Sequence, residues 1–422
     1  MISFLLCGLA LLYYAWSRFR SRILYPSVVF SIMWGINCIF TAAILMGFGS
    51  NLYLREEYSY EYMDSYIVPF TIVSLLAFTI AHKRAHSKGI NLVFSVGSLN
   101  TILRKYKFIM WLNFIGGILR IVVMVALVGF SLDNVMDYRM AANNVMMGSG
   151  GGLILYVFKI TSYIQMLANF YVAVDGLKTG FGELKFKHSL TLFILYAPTQ
   201  MATGGRLFVL FFIIFFFGSF LVGRGMAIKQ QKRRWLENSE KRIIVNIFAV
   251  FLVIIAVIGM ARAGSSRSAD DERFFEKFAY ISEGTLATDY VMRYYPEGTF
   301  EHGYGMFTLG SHSPQMKQFF EQMQTTKMSS IVYSFITFLY MDFGYWGSII
   351  VWFFLALFME IGALKCLNRL TLFRFIVFSV LLKMAYESIL GNSIGGNIPV
   401  FGLLVILYVF YDPLIGKYER RI

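Results

Sequence analysis

The chain has 422 residues, of which 57% are hydrophobic and 15% are charged, and its mean hydropathy is +0.62. A soluble protein carries about 25% charged residues, so the composition excludes an ordinary soluble domain and indicates a polytopic membrane protein. The net charge of +14 would suggest nucleic-acid binding in a soluble protein. Here the basic residues cluster in alternate loops, as the positive-inside rule expects, so no nucleic-acid partner is predicted.

Apolar runs long enough to cross a bilayer recur along the chain. A membrane helix needs roughly 17–25 mostly apolar residues. On that basis we predict eleven spans, with an error of about one because the first and sixth are short. They cover approximately 2–16, 24–48, 66–81, 106–130, 151–175, 189–203, 205–223, 243–260, 346–364, 373–390 and 397–415. The predicted fold class is therefore an all-α polytopic membrane protein.

The distribution of Lys and Arg predicts the orientation of these spans. One set of loops holds most of the basic residues outside the spans, whereas the opposite short loops contain only Arg55, Arg139 and Arg206. The basic set should face the cytoplasm. The amino terminus is then outside and the carboxyl terminus inside. In a bacterium with two membranes, the protein lies in the inner membrane and its outer side faces the periplasm.

The only long polar interval runs from Ala261 to about Ser330, on the predicted outer side. Ser268-Ala-Asp-Asp271 followed by two phenylalanines is typical of a capping box at a helix start. We therefore predict a large helical periplasmic loop. The expected division is residues 1–260 with spans one to eight, 261–345 as a periplasmic loop domain with short helices, and 346–422 with the last three spans and a short cytoplasmic tail.

Charged residues inside predicted spans are costly and usually face a cavity or a partner. Lys383 and Glu387 are one helical turn apart, which predicts a mutually neutralising pair. Glu360 lies near the inner end of its span and is interpreted as reaching the interface. Arg120 has no obvious partner nearby, and both a cavity-lining role and a structural role are left open. Lys159 is a further internal charge.

No metal or cofactor site is predicted. The sequence His82-Lys-Arg-Ala-His86 places two histidines on one helix face, but no third ligand stands nearby and the surroundings are polybasic. A cytoplasmic anchor accounts for it better. The chain also lacks a Gly-rich nucleotide loop. Any chemistry must therefore use a substrate that is already activated.

The short connector between spans six and seven is the first candidate site. Pro198 disrupts a helix, Gly204 and Gly205 permit unusual backbone conformations, and Arg206 follows in the first turn of the next span. Free N–H groups, a positive helix end and a guanidinium converging at one point are typical of phosphate binding. The alternative is a tight helical hairpin whose arginine meets lipid headgroups.

The polar interval adds cations and proton acceptors. The arginines are Arg262, Arg267, Arg273 and Arg293, and the acids and bases are Glu283, Asp289, Glu301, His302 and His312. Each alone is more often an ordinary solvated loop residue. Together they suit one task, in which arginines hold a lipid-linked pyrophosphate while a base helps a hydroxyl attack the attached sugar.

Four patterns together resemble the Wzy-type O-antigen and capsule repeat-unit polymerases, which are bacterial membrane glycosyltransferases with a GT-C-type fold. They are Thr203-Gly-Gly-Arg206 before a span, the large outer loop after span eight, Glu301-His-Gly-Tyr-Gly-Met-Phe307, and Asp342-Phe-Gly-Tyr-Trp-Gly347 before a late span. The resemblance covers the second half of the chain, and the first half matches only in hydropathy.

The resemblance implies a specific reaction. The growing glycan would pass from undecaprenyl pyrophosphate to the non-reducing end of an incoming lipid-linked repeat unit, by an inverting and metal-independent mechanism. Arg206 would be the main pyrophosphate ligand, with Gly204 and Gly205 beside it, followed by the four arginines of the interval and Arg120. His302 is the first choice as base, before Glu283 and Asp289. Membrane lipid, a chain-length regulator and a flippase are the other expected partners.

Three alternatives stay open at this stage. An O-antigen ligase would share the architecture and a similar Arg/His loop. A flippase or transporter of lipid-linked oligosaccharide would account for the internal charges, although no internal repeat is present. A non-enzymatic scaffold for polysaccharide assembly is the third. Sugar identity, linkage and oligomeric state depend on details that no sequence pattern here predicts.

Overall fold

A computed structural model describes residues 1–19, 23–48, 60–86, 107–129, 152–182, 184, 186–201, 212, 214–231, 279–295, 334–368 and 372–389. Every regular element in these ranges is a helix, which confirms the predicted all-α class for the part described. Five of these helical segments are long and apolar enough to cross a membrane: Ile2–Phe19, Pro26–Met46, Glu61–Arg84, Phe108–Leu127 and Phe335–Leu367. The count of eleven spans stays a prediction, because 243–260 and 397–415 lie outside the described residues.

The chain forms two compact units. Unit 1 comprises residues 1–94 and 271–417, and unit 2 comprises 95–270 and 418–422. The expected division at residues 260 and 345 concerns membrane sidedness and stays a prediction.

Six helices of unit 1 are described. In chain order they are α1 (Ile2–Phe19), α2 (Pro26–Ala43), α3 (Glu61–His86), α8 (Ala279–Tyr294), α9 (Phe335–Asn368) and α10 (Leu372–Glu387). A π-helical turn, Ile44–Phe48, continues α2. Helix α2 begins with Pro26, whose fixed φ and missing N–H suit the first helical position. It packs against α1, α8, α9 and α10.

Aromatic rings fill the core of unit 1 between α2, α3 and α9. The Trp352 ring centroid lies 4.9 Å from that of Phe30, 5.6 Å from Phe70 and 4.8 Å from Phe335. Its indole Nε1 donates to Ser74 Oγ at 2.7 Å, so the ring is fixed by both packing and a hydrogen bond. This core holds the three helices on which the candidate site rests.

Helix α9 bends at Gly344, where φ is 65° and ψ is −169°. Only glycine adopts such a conformation without strain. The bend falls inside the Asp342–Gly347 motif and divides α9 into a short first part and a long second part.

Unit 2 contains α4 (Phe108–Val128), α5 (Gly152–Phe181), α6 (Phe186–Met201) and α7 (Ser219–Gln231), with a π-helical turn, Ile214–Gly218, before α7. The long helix α5 packs against the other three helices and the π-helical turn. Its contact with α7 is backbone to backbone. A Cβ on Gly180 would lie 2.1 Å from the Phe220 carbonyl oxygen, and one on Gly223 would lie 2.1 Å from that of Leu177. Small residues allow this close approach between membrane helices.

Candidate functional site

Helix α8 lies within the polar interval of the sequence and packs against α2, α3 and α9. Side-chain hydrogen bonds connect α8 to each of these three helices. Thr285 Oγ1 donates to Asn37 Oδ1 of α2 at 2.7 Å, and the Asp289 carboxylate accepts from Met63 in the first turn of α3. Thr288 meets Ser334 and Thr337 at the start of α9. Polar side chains therefore fasten α8 to the beginnings of α3 and α9 and to the interior of α2.

The candidate base Asp289 lies on α8 with only 1% of its side chain exposed. Its Oδ1 accepts the backbone N–H of Met63 at 2.8 Å. The first N–H groups of a helix have no partner within the helix, so this carboxylate caps the start of α3. A negative charge at that position also interacts favourably with the helix dipole.

Arg293 follows Asp289 by one helical turn in the last turn of α8. Its Nη2 lies 4.0 Å from Asp289 Oδ2, and 32% of its side chain is exposed. A cation at the carboxyl end of a helix is favoured by the dipole. The structure thus brings two of the predicted site residues together, one buried and one reaching the surface.

Hydroxyl groups fix α8 against the first part of α9. Thr288 Oγ1 lies 2.9 Å from Ser334 Oγ and 2.7 Å from Thr337 Oγ1. Further along, Tyr340 Oη donates to the Met292 carbonyl oxygen at 3.5 Å. The turn of α8 that carries Asp289 and Arg293 is therefore held on two sides, by α3 and by α9.

Most other predicted site residues lie outside the described part of the chain. Glu283 is on α8, but the position of its side chain is not described. The remaining ones are Gly204, Gly205, Arg206, Arg262, Arg267, Arg273 and His302. Their roles stay predictions.

Arg120 lies in unit 2 and is almost completely buried. Its Nε donates to Thr161 Oγ1 at 2.5 Å, and its Nη2 donates to the Phe158 carbonyl oxygen and to Ser162 Oγ, both at 2.6 Å. Of the two roles that the sequence left open, these contacts between α4 and α5 support the structural one. Pyrophosphate binding by Arg120 stays a prediction.

A second buried carboxylate, Glu360 on α9, was not singled out as a site from the sequence. Its side chain is 0% exposed, its Oε2 accepts from Ser27 N at 2.9 Å, and its Oε1 accepts from Ser27 Oγ at 2.7 Å. His82 Nε2 lies 2.7 Å from Oε1. The expectation that Glu360 reaches the interface is wrong, because the start of α2 and the end of α3 enclose it.

Two further pairs involve internal charges. Lys383 Nζ lies 3.1 Å from Glu387 Oε1, which confirms the predicted neutralising pair. In unit 2, Asp175 is buried and lies 3.0 Å from both His188 Nδ1 and Ser189 Oγ. Hydrogen bonding to Asp175 raises the pKa of His188 above its ordinary value. The charged residues of both pairs have partners on neighbouring turns or helices, as expected for structural charges.

One comparison with known proteins finds a family match over part of the chain. The sequence profile of the O-antigen polysaccharide polymerase Wzy family matches residues 142–332, somewhat less than half of the chain. No curated protein and no solved structure matches the chain. The matched residues include Gly204, Gly205 and Arg206 and the polar interval with α8, but not Arg120. Over residues 142–332 the chain thus matches the O-antigen polysaccharide polymerase Wzy family, and this confirms the resemblance seen in its sequence motifs.

Proposed function

We propose that this protein polymerises lipid-linked oligosaccharide repeat units at the outer face of the bacterial inner membrane. The growing glycan passes from undecaprenyl pyrophosphate to the non-reducing end of an incoming undecaprenyl-pyrophosphate-linked unit. The observation that carries the proposal is the Wzy family match over residues 142–332. That range contains every predicted site residue except Arg120.

The reaction is a displacement at the anomeric carbon of the donor. An acceptor hydroxyl forms a new bond to that carbon, on the face opposite to the pyrophosphate, and the carbon–oxygen bond to the pyrophosphate breaks. The departing oxygen takes the electron pair, and the hydroxyl proton passes to a general base. Guanidinium groups offset the negative charge that grows on the pyrophosphate.

Arg206 is the first candidate for that charge stabilisation because it follows two glycines in a predicted outward turn, and the other short loops predicted on that side carry few basic residues. Arg262, Arg267, Arg273 and Arg293 are the further candidates. Among these, Arg293 has described contacts, and its partly exposed side chain leaves surface for a phosphate. His302 is the preferred base, with Glu283 next.

The transporter hypothesis rested on four charges inside the spans, Arg120, Lys159, Lys383 and Glu387. Three of them have local partners, since Arg120 is hydrogen-bonded between α4 and α5, and Lys383 is paired with Glu387. Charges with local partners need no transport pathway to account for them. The ligase alternative differs in its acceptor, and the length of the product distinguishes it.

The experiment is turnover by the purified protein in detergent with an undecaprenyl-pyrophosphate-linked repeat unit as the only substrate. A polymerase gives a ladder of glycans that differ by one repeat unit, whereas a ligase gives none without a separate acceptor. No ladder, together with lipid flipping in liposomes, would overturn the proposal in favour of transport.

Arg206→Ala tests the pyrophosphate ligand. We expect this variant to form no ladder while the protein stays folded and inserted. Removing a group that stabilises transition-state charge usually lowers kcat by at least about a hundredfold. Arg139→Ala is the matched control, since Arg139 lies in a predicted outer loop just before the matched residues. Normal chain lengths from Arg206→Ala would exclude this role for Arg206.

A further inference from the structure

The two oxygens of the Asp289 carboxylate have different partners. Oδ1 accepts the Met63 N–H at the start of α3, at 2.8 Å. Oδ2 faces Arg293 Nη2 at 4.0 Å. The Asp289 side chain thus contacts both the first turn of α3 and the guanidinium of Arg293 in the last turn of α8.

This arrangement fits poorly with a general base. A base must come within hydrogen-bond distance of the proton that it removes, but the Asp289 side chain is 1% exposed. An acceptor hydroxyl would have to compete with the contacts that this buried carboxylate already makes with the Met63 N–H and with Arg293. Both contacts favour the charged carboxylate, and both would weaken if it took up a proton.

The arrangement fits well with a role for Asp289 in orienting the Arg293 side chain. Arg293 has a long side chain with many rotamers, and fixing it in advance lowers the entropy cost of binding a ligand. The Asp289 carboxylate limits those rotamers from the buried side. Meanwhile Thr288 and Tyr340 hold the same turn of α8 against α9.

We propose that Asp289 is a positioning residue, which orients Arg293 towards the substrate pyrophosphate and fastens α8 to the first turn of α3. This inference rests on the proposed function, since it takes the pyrophosphate-linked substrate as the ligand of Arg293. It removes Asp289 from the candidate bases and leaves His302 and Glu283.

Asp289→Asn is the decisive variant. The amide oxygen can still accept the Met63 N–H, so the cap on α3 is kept, while the negative charge beside Arg293 is lost. We expect KM for the lipid-linked repeat unit to rise about fivefold, the range for one partly exposed ion pair, while kcat changes by less than about twofold. The pH dependence of kcat should stay unchanged.

A double-variant cycle shows whether Asp289 acts through Arg293. In an Arg293→Gln background, Asp289→Asn should raise KM no further. The matched control is Glu360→Gln, which alters the other carboxylate that caps a helix and leaves Arg293 untouched. It should keep the KM of the wild-type protein. If Asp289→Asn does not fold, Arg293→Lys, which keeps the charge and changes its geometry, replaces it and should raise KM to a similar extent.

A second readout separates this inference from the proposed function. Thermal stabilisation by undecaprenyl pyrophosphate alone should require a higher lipid concentration in Asp289→Asn than in the wild type. A wild-type protein that forms no ladder overturns the polymerase proposal, whereas the thermal shift still tests the positioning. A large loss of kcat with a changed acidic limb of the pH profile would show that Asp289 is a base. Unchanged KM and thermal shift would show that it positions nothing.

Discussion

Helix α3 starts beside one buried carboxylate and finishes beside another, and the two differ in their partners. Asp289 caps the first turn of α3 and faces Arg293, whose side chain is about one-third exposed. Glu360 lies against His82 in the last turns of α3, and it caps the start of α2 through Ser27. At about 1.5 Å per residue, Met63 and His82 are roughly 28 Å apart along the helix, close to the thickness of a bilayer hydrocarbon core.

The two clusters differ in whether a ligand has access to a partner of the carboxylate. At Glu360 every described partner is buried, so the cluster has no surface on which a ligand could replace one of them. At Asp289 the partner Arg293 reaches the surface, where we propose that it meets the substrate pyrophosphate. The comparison indicates that burial of the partner, rather than of the carboxylate, distinguishes a structural cluster from a candidate binding site.

The largest expected effect is loss of stability in Glu360→Ala. Removing one member of a buried pair costs about 3–5 kcal/mol, because His82 and the Ser27 N–H would be left without the carboxylate. We expect a much lower midpoint of thermal unfolding in detergent and little folded protein in membranes. Glu360→Gln, which keeps an acceptor for Ser27, should lose far less. Equal stability of Glu360→Ala and the wild type would contradict the structural role of this cluster.

Asp289→Ala should have a smaller effect on stability. Loss of a helix cap costs about 1–2 kcal/mol, and Arg293 can turn towards water instead of staying buried. The midpoint of thermal unfolding should therefore fall less than in Glu360→Ala, whereas the affinity for the substrate falls more. If the order of the two midpoints were reversed, the contrast drawn between the clusters would be wrong.

The smallest effect concerns a third carboxylate, Asp175 of unit 2, whose partner His188 is partly exposed. The hydrogen bond to Asp175 raises the pKa of His188, although burial and, to a smaller extent, Lys107 lower it in part. A raised pKa in the folded state gives stability that is complete below the ordinary value of about 6.5 and is lost as the pH rises through the folded-state pKa. The stability advantage of the wild type over His188→Gln should therefore shrink as the pH rises above about 6.5.

That titration is measured by thermal unfolding of both proteins across the pH range. Ser189→Ala is the control, since it removes the other partner of Asp175 without a titrating group. A stability difference that is independent of pH would mean that His188 contributes only through packing.

The apolar runs predicted the long helices well. The span predicted at 106–130 is α4, the one at 24–48 is α2 with its π-helical turn, and the one at 66–81 lies within α3. Helix α3 extends further at both ends because polar residues of the first and last turns stay helical when another element caps them. Hydropathy measures the apolar part of a helix and not its hydrogen-bonded length.

Helix α8 was not predicted. The capping box at Ser268 pointed to a helix start ten residues earlier, and that segment lies outside the described residues. The signal that was present is a row of small polar residues at helical spacing: Ser282, Thr285 and Thr288, all fully buried. A polar face that packs inward inverts the usual amphipathic pattern, so its buried side could not be recognised from hydropathy.

The Glu360 cluster could not have been predicted from local patterns. Its contact with Ser27 joins residues 333 positions apart, and no spacing rule relates them. Arg120 of unit 2 and Asp289 of unit 1 show the same restriction. The sequence placed a charge at each position, but only the tertiary partners distinguish a structural charge from one that meets a ligand.

The Asp342–Gly347 motif contains the bend of α9 at Gly344. From Phe335 to Leu367 the candidate span has 33 residues, many more than the roughly 20 that cross a bilayer. The residues after Gly344 suffice for the crossing, which frees the part before it to carry Thr337 and Tyr340 to α8. A single glycine thus divides one helical segment into two parts, one long enough to cross a bilayer and one that contacts α8. Substitutions there should separate these two properties, leaving a protein that inserts normally and no longer binds its substrate well.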